Sequence, residues 1–109
     1  MTYTEAELKT ILEKHQKWLN DEPDGERANL VYANLVCAYL KGANLDFSCW
    51  PLWCGSLDVK VGARIAAQLA YHFCRLKCDD TEYIEARNAI VDFANRFHRV
   101  DECGKLEKR

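Results

Sequence analysis

Six cysteines and three histidines carry most of the latent chemistry in this 109-residue chain. Cys49 and Cys54, with Cys74 and Cys78, offer the four thiolates of a structural zinc site, and His72 is a spare ligand. Their spacings depart from the Cys-x2-Cys pairs such sites favour. Cys74 and Cys78 fall one helical turn apart, about 5–6 Å between Cβ atoms, which is too far for an unstrained disulfide. Free cysteine is among the most buried residue types. The cysteines are therefore read as small buried side chains, with a zinc-stabilised domain as the alternative, and no metal ligand is assigned. His15 and His72 fall on apolar helical faces and read as satisfied core residues. The chain has no Gly-x-Ser-x-Gly elbow, no phosphate-binding Gly-rich loop with Lys, and no His-Glu-x-x-His. No catalytic residue and no cofactor is assigned, and the expectation is a protein that is not an enzyme.

Two acidic clusters are the other candidates. The first is Asp21, Glu22, Asp24 and Glu26; the second is Asp79, Asp80, Glu82 and Glu85. The whole chain has 15 basic and 17 acidic side chains, a net charge of -2. That balance excludes a nucleic-acid binder recruited by bulk charge. By segment it is uneven: residues 1–27 hold four basic and seven acidic side chains, and residues 61–109 hold nine and eight. Acids at a helix N-terminus are favourable by about 0.3–1 kcal/mol, which accounts for much of the second cluster.

These residues must be positioned by three kinds of segment within what reads as one domain, residues 1–109. Thr4 and Glu7 have capping-box spacing, and Leu8, Ile11, Leu12, His15 and Leu19 share a helical face, so the sequence predicts a helix over 4–19. The stretch from Asn20 to Gly25 breaks it. Toward the C-terminus, Ile65, Leu69, His72, Phe73 and Leu76 make one helical stripe. Tyr83, Ala86, Ile90, Phe93, Ala94 and Phe97 make another. Two helices over 63–98 follow, with Asp80 or Thr81 capping the second. Their short connection favours an antiparallel hairpin. The charged tail, 101–109, is expected to fray. No apolar run reaches the ~20 residues of a membrane span, and the N-terminus has no secretory pattern, so a cytoplasmic protein is expected.

The middle has a period of five. Leu30, Leu35, Leu40 and Leu45 recur at that spacing, with Ala28, Ala33, Ala38 and Ala43 two places earlier and Asn29, Asn34 and Asn44 between. Neither a helix nor a flat strand keeps such leucines on one face. A chain that turns a corner every five residues does. These Ala-Asn-Leu-x-x units resemble the pentapeptide-repeat family. The resemblance implies an α+β fold: a short right-handed four-sided β-helix over 28–57, about 1–1.5 turns, flanked by the N-terminal helix and the C-terminal helical hairpin. The outward Val31, Tyr32, Val36 and Phe47, exposed together, would form an apolar patch, so they are either covered by the helices, as is expected for most of them, or form a partner surface.

Some pentapeptide-repeat proteins resemble duplex DNA and inhibit DNA-handling enzymes, and short helix-flanked members resemble anti-CRISPR proteins of phages. The resemblance thus implies an inhibitor that blocks target DNA binding by a CRISPR effector complex, or another DNA-binding protein, in a bacterial host. It would bind no nucleic acid and no membrane itself and act as a monomer. Its partner-binding surface would be the two acidic clusters with Asn29, Asn34, Asn44 and Asp46. A generic protein-protein interaction module anchored by Tyr32, Tyr39, Trp50 and Trp53 is the alternative.

Overall fold

A computed structural model describes residues 2–109. The chain divides into two compact units, Met1–Val61 and Gly62–Arg109.

The first unit opens with α1 (Glu5–Leu19). Its capping box closes in both directions: the Glu7 N–H donates to Thr4 Oγ1, and the Thr4 N–H donates to Glu7 Oε1. Leu8 and His15 are the buried residues of its apolar face. After Asn20 the chain doubles back on the helix, with the Glu22 N–H donating to the Lys17 carbonyl and the Glu26 N–H to that of Lys14. Asp21 and Asp24 take left-handed φ values of 55° and 66°, which short polar side chains tolerate better than most. Gly25 lies directly against the Trp18 backbone, where a Cβ would collide.

From Ala28 onward a tight turn follows each leucine of the five-residue repeat. The N–H groups of Ala33, Ala38, Ala43 and Ser48 donate to the carbonyls of Leu30, Leu35, Leu40 and Leu45 at 2.8–3.1 Å. Cys37, Gly42 and Phe47 occupy the third place of their turns with positive φ. Leu30, Leu35 and Leu40 are at most 1% exposed, and Ala28 and Ala33 are buried with them. Burying one such Leu side chain is worth about 1.5–3 kcal/mol, so these side chains are the main stabilising element of the segment.

The expected α+β architecture with a pentapeptide-repeat β-helix is not what the chain forms. The structure is 44% helical, and among the described residues there is no sheet and no β-helix. Among the described residues the bridges are three isolated parallel ones, Thr2 with Asn34, Asn29 with Cys49 and Tyr39 with Lys60. The physical reason is the brevity of the segment. Each repeat holds a few extended residues between turns, and Asn29, Asn34 and Tyr39 each bridge to a single partner residue. A ladder needs successive pairs. The outward residues are not covered either: Tyr32 is 78% and Phe47 60% exposed, and Val31 and Val36 are also exposed.

The second unit packs α2 (Ala63–Cys74) against α3 (Thr81–Ala94). Asp80 caps α3, its Oδ1 accepting the N–H groups of Glu82 and Tyr83. Tyr71, Cys74, Val91, Ala94, Phe97 and Leu106 form the core. A short α4 (Val100–Cys103) follows. The tail beyond it is held, contrary to the fraying its charge suggested. Leu106 is buried, and its N–H and C=O both bond to the Asn95 side chain, at 2.8 and 2.9 Å. Arg109 pairs likewise with the Asn88 amide. Buried Arg87 donates to the carbonyls of Cys74 and Glu107.

Candidate functional site

The first acidic cluster lies in the loop that leaves α1. Asp21, Glu22 and Asp24 are exposed. Glu26 is also exposed and stands 3.8 Å from Lys14, an ion pair worth at most about 1 kcal/mol in solvent. Three carboxylates thus remain in the loop without a cationic partner among the described residues.

The other expected members have structural duties. The side-chain oxygens of Asn29, Asn34 and Asn44 accept the N–H two residues on, from Val31, Val36 and Asp46, at 3.1 Å each. Such local bonds shape a turn and leave the amide carbonyl already engaged. Asp46 is buried rather than outward. In the second unit, Asp80 is consumed by the cap and Asp79 pairs with Arg109 at 3.8 Å. Glu82 and Glu85 are exposed on the first turns of α3. The residues read as a mimetic surface therefore divide between engaged turn formers, a helix cap, the ion-paired Asp79, two exposed glutamates on α3 and one open carboxylate loop.

The aromatic residues are arranged differently. Val31, Tyr32, Leu52 and Trp53 line a shallow cleft of about 400 Å³. Leu52 is 96% exposed at its rim, and Trp53 is 48% exposed. The backbone beneath is fixed: the Leu30 N–H bonds to Cys49 O at 2.9 Å, and Gly55, buried next to Trp53, accepts the Leu35 N–H. Tyr39 lines a separate groove and Trp50 is half-buried outside both. Leu52 was the missed member; no periodicity marks it, since it follows Pro51, where the five-residue register slips.

The cysteines depart from the buried reading. Cys74 alone is buried; Cys37, Cys54 and Cys103 are exposed and Cys49 and Cys78 are half-buried. Burial raises the Cys74 thiol pKa, against a smaller opposing effect of the Arg87 charge. Among the described residues no three His, Cys, Asp or Glu side chains converge to hold a metal ion. No described helix is long and apolar enough to cross a membrane. No protein-family model, curated protein or solved structure matches the chain.

Proposed function

We propose that this chain is a binding module that acts by occupying a surface of another protein, without chemistry of its own. The observation that carries this reading is the cleft of Val31, Tyr32, Leu52 and Trp53: four apolar side chains held in water on a hydrogen-bonded backbone. Tyrosine and tryptophan are among the side chains that dominate the energetics of protein interfaces when a partner dehydrates them. A backbone already fixed in place lowers the entropy lost on binding.

A second reading is inhibition of a CRISPR effector complex, or another DNA-binding protein, in a bacterial cell. It rests on the exposed carboxylates of Asp21, Glu22 and Asp24, which offer a compact negative patch to a Lys/Arg groove. The engagement of Asn29, Asn34, Asn44 and Asp46 in turns and burial confines that patch to the loop.

One experiment separates the two. The tagged chain is used to capture partners from bacterial lysate, beside a Tyr32→Ala/Trp53→Ala variant and an Asp21→Lys/Glu22→Lys/Asp24→Lys variant. A cleft interface loses its partner with the aromatic variant and holds it through a salt wash. A mimetic interface loses it with the charge variant and with salt. Capture unchanged by either variant rejects both readings.

A further inference from the structure

A second face of the first unit presents a backbone edge that is still open. At Tyr39 the Leu40 N–H donates to the Lys60 carbonyl, and the Lys60 N–H donates to the Ala38 carbonyl, both at 2.6 Å. In an extended chain, successive N–H and C=O groups point to opposite edges. The N–H and C=O of Tyr39 itself therefore point away from Lys60. Neither has a partner among the described residues. One five-residue unit earlier the same edge is already used. There Leu35 bonds to Gly55 on one side, while Thr2 pairs in parallel with Asn34 on the other.

The Tyr39 edge borders a groove of about 630 Å³, and Thr2 borders the same groove, whereas Lys60 does not. Leu8, Leu12 and Val36 give it an apolar lining. Its charged members are Lys9, Lys41 and Glu5, a local balance of +1. The unit around it is acidic, with six basic and nine acidic side chains over residues 1–61. The groove is thus a cationic place on an anionic body.

We propose that this groove receives an extended acidic peptide segment of a partner protein, which pairs with the backbone of Tyr39. The guest accepts the Tyr39 N–H and donates to the Tyr39 C=O. It continues on this face the pairing that Thr2 makes with Asn34 on the next. Backbone pairing supplies affinity, and alternate guest side chains supply specificity. Apolar ones meet Leu8, Leu12 and Val36, and acidic ones meet Lys9 and Lys41. This site is distinct from the Tyr32/Trp53 cleft, and its failure would leave that reading untouched.

The test uses the full chain and three fluorescein-labelled seven-residue probes: alternating Val and Asp, alternating Val and Lys, and the Val/Asp peptide with N-methylated valines. Anisotropy is expected to show the acidic peptide binding at least about 10-fold more tightly than the basic one, with a comparable loss on N-methylation. Lys9→Glu/Lys41→Glu is expected to reverse the charge preference, and Tyr32→Ala/Trp53→Ala to leave it unchanged. The Tyr39 amide should exchange with deuterium faster than the Leu40 amide in the free chain and become protected in the complex. Should the charge variant fail to fold, loss of the acidic preference at high salt in the parent serves in its place. Absence of binding by all three peptides, equal binding of acidic and basic ones, or indifference to N-methylation overturns the proposal.

Discussion

The Ala28 backbone N–H donates to Nδ1 of His15 at 3.0 Å, joining α1 to the start of the leucine-lined segment. An amide N–H can only donate, so Nδ1 carries the lone pair and the ring proton sits on Nε2. Nε2 then donates to the Asp46 carbonyl, 2.8 Å away, at the far end of that segment. One buried imidazole thus fastens the helix to both ends of the coil. Trp18 stacks on it with ring centroids 5.7 Å apart.

Replacing His15 with Ala is expected to cost about 2–4 kcal/mol, because a buried N–H and a buried C=O lose their partner and a cavity opens. The measurement is the denaturant midpoint of His15→Ala against the parent. A loss below ~0.5 kcal/mol would mean that water replaces both bonds freely. Imidazole nitrogen shifts should also report the Nε2–H tautomer.

How much of this was readable from residues alone differs by segment. The capping box at Thr4 and Glu7 and the cap at Asp80 are local devices, and spacing reveals local devices. The inward leucines were readable for the same reason: five-residue periodicity is a property of one segment. No β-helix forms from it because ladder formation depends on how much chain stacks beside each face, and here that is at most one bridge per repeat among the described residues. The coupling of His15 to Ala28 and Asp46 spans 13 and 31 residues and has no spacing signature. The acidic residues were visible by type. The engagement of Asn29, Asn34 and Asn44 by their own turns, and the burial of Asp46, were set by backbone geometry that composition does not encode.

The charged tail offers a sharper case. Asn95 both donates to the Leu106 carbonyl and accepts the Leu106 N–H. Asn95→Ala removes both bonds and should destabilise the second unit by about 1–3 kcal/mol. Asn95→Asp keeps the acceptor for the Leu106 N–H but sets a carboxylate oxygen against the Leu106 carbonyl, so it should cost at least as much. Amide exchange of residues 105–109 should accelerate in both variants relative to the parent. Equal exchange in all three would show that Leu106 is held by its side chain alone.

The α1 cap has a definite pH signature. The Glu7 carboxylate is lowered below its ordinary pKa, first by the Thr4 backbone N–H and then by the Thr4 hydroxyl. A folded pKa below the unfolded one means the contribution is fully present above the unfolded value. It is lost as pH falls through the folded value. Acid melts should therefore show α1 weakening below about pH 4.5. Glu7→Gln keeps an acceptor and should flatten that dependence, while Thr4→Ala should cost about 1 kcal/mol at neutral pH. An unchanged acid slope in Glu7→Gln would remove the cap from the account.

Cys74 has the opposite sign. Its thiol is buried beside the Arg87 carbonyl, with Sγ 3.9 Å from that oxygen, and burial raises its pKa above the usual thiol range. Its contribution to stability is therefore fully present below the unfolded thiol pKa and falls as pH rises through the folded one. Iodoacetamide at pH 8 should label Cys37, Cys54 and Cys103 first and Cys74 last, since the thiolate is the nucleophile and access is needed. Denaturant should erase the difference. Cys74→Ala should flatten the decline in stability above about pH 8.5, at the expense of about 1 kcal/mol from lost packing. Mass spectrometry of the labelled peptides decides the order, and early labelling of Cys74 in the native chain would mean the core around Tyr71 and Val91 opens far more readily than its packing implies.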